Sequence, residues 1–400
     1  LSSVDENGII FTNGDNDTFP LWYAQETEGY RTDVRVCNLS YLQTDWYVNQ
    51  MKSQAYESDP LPISMEESQY GNKKREYAYI LDRVDYPVSV KMAMDYFLSD
   101  DERTKTIPGY GKINHLPTGE LFIDIDKEKI LKSGIVPKGY EDKIVDRIDL
   151  SFKDKNTLIL NDLAIIDLLS TNAETGWKRP VYFATTVDPS FFTETDKYFM
   201  RTGMAYEVVP VKLENTPGRY QVNTDKMYDN VMNKFVWGGI DVNPDIYLDE
   251  TIRRMCYSYR IMFIDLIDQL IQEGKTDKAL KALDYCMEKI PGDVVPHNYI
   301  SLQLAMDYYF LKQNEKGKAL LEKIADSAIE YVTWINSLDN NKKRSVQRDY
   351  YYNERALAEQ VIPMFYRFGD EESGKKYLEK AALAGVDINR YFKIDTSKTN

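Results

Sequence analysis

The sequence predicts an α/β domain followed by an all-α domain: a Rossmann-like parallel sheet, then tetratricopeptide-like helical hairpins. Three observations predict it. The chain has 400 residues, more than a single hydrophobic core usually serves, so two domains are expected. Its first half alternates short apolar runs with amphipathic segments over short connections, the pattern of right-handed crossovers between parallel strands. From about residue 245 onward the apolar spacing is helical. The expected domains are therefore 1–240, with an irregular excursion at about 53–118, and 245–400.

Residues 8–13 read as a buried strand closed by the turn-prone run Asn13-Gly14-Asp15-Asn16. A helix follows, with Asp17 or Thr18 as N-cap, Pro20 in its first turn and Gly29 as its left-handed terminator. Residues 33–39 form a second strand, and Thr44 caps a helix through Met51. The next stretch holds Pro60, Pro62 and a polar run, with one convincing helix at 87–98. Strands are expected at 120–126 and 147–160, then a helix from Asn161 or Asp162 through Ser170. A strand at 179–184, a short helix at 189–199 and a strand at 205–212 complete the region. In the second half, Phe263, Leu266, Leu270, Ala279, Leu283, Cys286 and Pro291 fall at tetratricopeptide offsets, with Gly274 in the turn. Asn314 and Ala319 mark a second, looser unit, and Gly369, Leu378 and Ala381 a third. Three such units suffice to bury a continuous core.

Composition narrows the function. With 64 acidic against 50 basic residues the net charge is −14. That disfavours nucleic acid and anionic membrane surfaces, which both need a positive footprint. No apolar run is long enough to span a membrane. The two histidines, His115 and His297, leave little material for histidine-based metal or triad chemistry. The three cysteines, Cys37, Cys256 and Cys286, show no metal-binding spacing and read as buried thiols, a Cys256–Cys286 bridge being the alternative. The 31 tyrosines suit half-buried surfaces and sugar-facing grooves as well as ordinary core packing. The abrupt opening, Leu1-Ser2-Ser3 and then a strand, reads as a piece of something longer.

The sharpest local feature is Gly14-Asp15-Asn16-Asp17-Thr18, between a strand and a helix, where open α/β sheets bind ligands. Asp15, Asn16 and Asp17 are candidates for a polar ligand or sugar. Asp15 and Asp17 are also weak candidates for a divalent cation, which needs oxygen ligands. A structural turn is the leading alternative, because Asp17 and Thr18 already serve as caps. No glycine-rich phosphate cradle is present and no cofactor is called for; carboxylates at a helix N-terminus repel phosphate. Arg31 either pairs internally with a carboxylate, the favoured reading, or faces a ligand. Trp177 either covers a core edge, again favoured, or stacks on a sugar. The pairs Asp124/Asp126 and Asp146/Asp149 suggest no acid–base role.

The run from Gly8 to Trp46, together with Leu116-Pro117-Thr118, Asn161 to Asn172 and Trp177-Lys178-Arg179-Pro180-Val181-Tyr182-Phe183, resembles the soluble C-terminal region of a family of large polytopic membrane proteins. That family is related to a lumenal protein O-mannosyltransferase with tetratricopeptide repeats. The resemblance implies a multi-helix membrane domain of the lipid-linked-sugar glycosyltransferase type elsewhere in the same polypeptide, carrying the catalytic acid. It also implies an extracytoplasmic, periplasmic location for this piece. The leading expectation is an accessory domain whose helical repeats engage a protein or peptide acceptor. The alternatives are a non-catalytic interaction scaffold and an autonomous metal-dependent glycosyltransferase using Asp15 and Asp17.

Overall fold

The computed structural model describes residues 1–109, 111–346 and 348–386 and divides into two compact units, Leu1–Phe235 and Val236–Asn400. Residues 387–400 of the expected helical region lie outside the described residues.

The first unit is built on six strands: β1 (Ile9–Thr12), β2 (Arg35–Asn38), β3 (Val181–Ala184), β4 (Phe199–Arg201), β5 (Ala205–Val208) and β6 (Gln221–Val222), in the order β6-β4-β5-β3-β1-β2. The strands β1, β2 and β3 are short and buried along their whole length, as expected of a sheet covered on both faces. They run parallel, with Phe11 level with both Cys37 and Phe183. Helix α1 (Asp15–Glu28) makes the crossover between β1 and β2. Arg35 sits inside this sheet because its guanidinium donates to the carbonyls of Met51, Ser53, Ser58 and Asp59, so its buried charge is fully hydrogen-bonded.

The sheet is mixed rather than wholly parallel. The strands β4 and β5 are separated only by Thr202-Gly203-Met204, too short for a parallel crossover, so they pair as an antiparallel hairpin. Strand β5 then pairs antiparallel with β3. The class expected from sequence, α/β followed by all-α, holds with this change.

Several local readings also change. Helix α1 begins at Asp15, with Gly14 as its N-cap, so neither Asp17 nor Thr18 is the cap and Pro20 lies inside the helix. The segment 189–199 forms two three-residue 3-10 turns, Pro189–Phe191 and Asp196–Tyr198, where a helix was expected. The expected strand 147–160 is broken by a turn at Phe152–Lys155 into Arg147–Ser151 and Thr157–Ile159.

The stretch 53–118, read above as an irregular excursion, supplies strands to two further three-stranded sheets. Tyr77–Ile80 pairs with Thr157–Ile159 and His115–Leu116, and Val88–Ser89 pairs with Glu120–Asp124. Also in the first unit are α2 (Asp45–Met51), α3 (Val90–Leu98) and α4 (Leu160–Glu174). Helix α4 is buried on nearly every face, packing against α3, the strand Glu120–Asp124 and the turn Tyr41–Gln43. Its Asp167 carboxylate pins the excursion by accepting from the backbone N–H groups of Ser64 and Met65 and the hydroxyl of Ser64.

The second unit is helical: α5 (Glu250–Gln272), α6 (Thr276–Lys289), α7 (Tyr299–Phe310), α8 (Asn314–Ser337), α9 (Arg348–Arg367) and α10 (Glu371–Leu383). Consecutive helices pack as α5/α6, α7/α8 and α9/α10, and α5/α7 and α8/α9 join the pairs. The residues Phe263, Leu266, Leu270, Ala279, Leu283 and Cys286 are all fully buried. Gly274 and Gly369 sit at positive φ in the turns. The second pair departs from the expected register. Ala319 is exposed, and the small residue at the helix contact is Gly317, where an added Cβ would meet the Tyr309 ring at 2.7 Å. Buried Arg260 ties α5 to the segment after α6 by donating to the carbonyls of Ile290, Val295 and Pro296. Cys256 and Cys286 are free, buried thiols, and burial pushes Cys286 up to about 12.

Candidate functional site

The carboxyl ends of the parallel strands β1, β2 and β3 define the place where a ligand would be expected. Strand β1 enters α1 through Gly14, at φ 76° and ψ 175°, a conformation that essentially only glycine adopts. Glycine offers no capping side chain, and none hydrogen-bonds the first turn of α1. The buried core of this edge is a hydroxyl–amide cluster. Thr18 shares a 2.8 Å hydrogen bond with Thr12 at the end of β1, and the Asn38 amide at the end of β2 donates to Thr18 at 2.8 Å. Asn38 in turn accepts from the backbone N–H groups of Ser40 and Tyr41, which fixes the loop after β2. Thr12, Thr18 and Asn38 are all buried.

Around this cluster stand the carboxylates. Asp17 is half-buried; burial raises its pKa, opposed by hydrogen bonds from the Thr186 side chain and the Asn13 backbone. Asp15 and Asn16 are exposed beside it. At the N-terminus of α4, buried Asp162 accepts from the Lys155 ammonium at 3.3 Å, the Ile159 N–H at 3.2 Å and Thr193 at 3.5 Å. Neighbouring Asn161 donates to the carbonyl of Leu39. The loop after β3 thus reaches Asp17 through Thr186 and Asp162 through Thr193. Its Thr193 and Glu194 both adopt positive φ, 52° and 61°, a strained pair that the surrounding contacts must hold. Burial raises the pKa of Glu194 as well.

A row of aromatic rings flanks this edge. Phe19 and Trp22 on α1 stack at 5.6 Å, Trp22 and Tyr41 at 6.2 Å, and Tyr41 meets Trp46 at 6.1 Å. Phe19 is 44% and Trp46 55% exposed. Rings of this kind, apolar on the face and open to solvent, suit sugar rings and polypeptide side chains.

The sequence-derived candidates scatter. Asp15, Asn16 and Asp17 lie at the carboxyl edge. Arg31 does not: its guanidinium forms a bidentate pair with Asp33 at 2.8 and 2.9 Å and donates to the carbonyls of Leu1, Val4 and Asp5. Trp177 is 2% exposed and cannot stack on a sugar. At φ 58° it closes α4, its backbone N–H donating to the carbonyl of Asn172 at 2.7 Å. Sequence reasoning passed over Asp162, Thr186, Thr193 and Glu194, which carry no local motif. It also passed over the aromatic row, for which the spacing of Phe19 and Trp22, one helical turn apart, was the available signal.

The arrangement can hold hydroxyl-bearing ligands but has few groups for acid–base work. Among the described residues, no set of three His, Cys, Asp or Glu side chains is placed to hold a metal, so Asp15 and Asp17 have no third ligand of that kind. Both histidines are structural. His115 bonds Tyr96 at 2.9 Å in the interior. His297 lies 3.2 Å from Ser301, yet both are buried, and burial with nearby Arg260 lowers the imidazole to about 3. A neutral imidazole on an inaccessible serine is packing, not a nucleophile–base pair.

Among the described residues, no helix is long and apolar enough to cross a membrane. A family model described as TMEM260-associated domain 2 matches residues 1–226, within the first compact unit. No curated protein and no solved structure matches the chain.

Proposed function

Since the chain belongs to the TMEM260-associated domain 2 family, and so to a domain tied to a membrane-protein family, we propose that it is the periplasmic accessory domain of a membrane-embedded, lipid-linked-sugar glycosyltransferase of the protein O-mannosyltransferase kind. Its partners are then the membrane domain of the same polypeptide and a polypeptide acceptor held by the helical unit. The observation that carries this reading is the contrast at the carboxyl edge. The buried polar groups there are committed to one another, while an open aromatic row stands beside them. A catalytic centre needs an acid or base free to reach the reacting atoms; a docking face needs exposed rings on a rigid frame. The autonomous, metal-dependent reading is weaker because Asp15 and Asp17 have no third ligand of the usual types among the described residues.

The test is sugar transfer by the full-length membrane protein carrying Phe19→Ala with Trp46→Ala, compared with Asp15→Ala with Asp17→Ala. The aromatic pair is expected to raise KM for acceptor, or to weaken assembly with the membrane domain, with little change in kcat. The acidic pair is expected to leave kcat within about threefold. A collapse of kcat by orders of magnitude in the acidic pair would make the turn a catalytic centre and sink the accessory reading.

A further inference from the structure

The helical unit contains an open groove of about 710 Å³ whose lining includes Asp268, Gln272, Gln303, Asp307, Phe310 and Arg367. Two helix faces build its acidic wall. On α7, Gln303, Asp307 and Phe310 follow one another at helical spacing, and on α5 Asp268 and Gln272 do the same. The Gln303 amide donates to Asp307 Oδ1 at 2.9 Å. Asp307 is 3% exposed, and its other oxygen, Oδ2, is buried with no hydrogen-bond partner among the described residues. Phe310 projects from the rim at 66% exposure. Tyr309 of α7 and Phe368, just after α9, stack at 3.9 Å and 5°, and Gly317 leaves room for the Tyr309 ring. On the α9 lip, exposed Arg367 stands over the Phe368 ring at 5.9 Å.

We propose that this groove is a docking site for an extended polypeptide segment carrying an arginine or lysine, whose cationic nitrogen enters beside Asp307 and donates to its unpartnered Oδ2. The proposal deepens the accessory reading, on which it rests, by giving the polypeptide partner a chemistry. A buried carboxylate oxygen without a donor is a cost that a native fold rarely carries without a use. Burial and the nearby Asp268 carboxylate together raise Asp307 to about 7, the response of an acid whose counter-ion is missing. A guanidinium supplies both the opposite charge and the donor that Asp307 lacks. The amides of Gln272 and Asn314, also in the lining, can pair with peptide backbone, and Phe310 offers an apolar contact beside it. A bare small cation would use only the carboxylates.

The experiment titrates the full 400-residue chain with two capped, dye-labelled heptapeptides of glycine, serine and one phenylalanine. One has a central arginine and the other a central glutamine, and binding is followed by anisotropy up to millimolar peptide. The arginine peptide is expected to saturate and to bind roughly tenfold or more tightly than its glutamine twin. Asp307→Asn should erase that difference while melting no lower than wild type, which separates lost recognition from lost folding. Phe310→Ala, on the surface, should weaken the arginine peptide severalfold. Equal binding of the two peptides, no binding of either, or unchanged selectivity in Asp307→Asn overturns the proposal. So does agmatine binding as tightly as the peptide, since the site would then take a small cation. If arginine selectivity fails while sugar transfer still depends on Phe19 and Trp46, the groove assignment alone falls. The opposite result removes the accessory reading and leaves the groove.

Discussion

At the carboxyl edge of the mixed sheet, Thr18 is buried and shares its hydroxyl with Thr12 and Asn38. In the helical groove, Asp307 is nearly as buried, and one of its carboxylate oxygens has no partner among the described residues. Both are polar groups taken out of water, so both have lost hydration, but only the first has recovered equivalent bonds. The α/β unit repeats the first solution. Glu207 is wholly buried on β5 and accepts from the Lys226 ammonium at 2.8 Å and the Tyr182 hydroxyl at 2.9 Å, while Lys226 also meets Asp5. The contrast teaches where stability and recognition are held. Saturated groups set the frame, and removing one should weaken the fold. An unsaturated group awaits a partner, and removing it should strengthen the fold at the expense of binding.

The largest effect should come from Lys226→Ala, which leaves the Glu207 carboxylate inside the protein with its counter-ion gone. Breaking such a pair from one side costs about 3 kcal/mol or more, so thermal unfolding of the first unit should fall by roughly 6–12 °C. Replacing both partners, Lys226→Met with Glu207→Leu, should recover most of that loss. A double variant no more stable than the single one would show that the pair is not a self-contained unit. Next is Thr18→Val, of similar volume, which strips the hydroxyl from the edge cluster and strands the Asn38 amide. A cost of about 1–3 kcal/mol is expected, read as a lower midpoint in urea. A silent Thr18→Val would break the claim that this edge is saturated.

Much of the frame was legible because local chemistry decides it. The apolar runs of β1 and β3 can be little but buried strands, and Gly14, Gly274 and Gly369 stand where the chain needs positive φ. What sequence concealed depends on distance along the chain. Nothing near Asp162 announces that Thr193 will reach it. The antiparallel β4–β5 pairing follows from the three-residue link between them, a constraint visible only once β4 is recognised as a strand. Arg31 was read correctly as an internal pair because its partner, Asp33, is two residues away. Phe19, Trp22, Tyr41 and Trp46 come from three separate elements, so the row exists only after folding. Asp307 had no sequence signal: an aspartate on a helix is ordinary until its burial and its missing donor are seen together.

The groove half of the comparison makes a pH prediction of opposite sign to the usual acid denaturation. Asp307 is raised to about 7 by burial, with Asp268 adding to it and the Gln303 amide opposing; the unfolded value is about 3.9. Between these values the native state binds the extra proton, so stability falls as pH rises from about 4 to about 7 and is flat in this group's contribution outside that window. Asp307→Asn should remove that slope and raise stability at pH 8 by about 1–3 kcal/mol, with little change at pH 4. Calorimetry at the two pH values tests it. An Asp307→Asn that destabilises equally at both would mean the carboxylate has a donor after all, and the two regions would cease to differ.

The smallest effect should come from Asp15→Ala. The residue is exposed at the first turn of α1, where a carboxylate gains a few tenths of a kcal/mol from the helix dipole and no side-chain cap competes. A change within about 0.5 kcal/mol is expected, falling further as salt is added. Asp17→Asn sharpens the point, because Asp17 is half-buried and bonded to Thr186 and Asn13. It should cost more than Asp15→Ala although the two carboxylates are one residue apart. If the order reverses, or if Asp15→Ala alone shifts melting by several degrees, then Asp15 has a partner at the carboxyl edge and that edge, like the groove, is unfinished without a ligand.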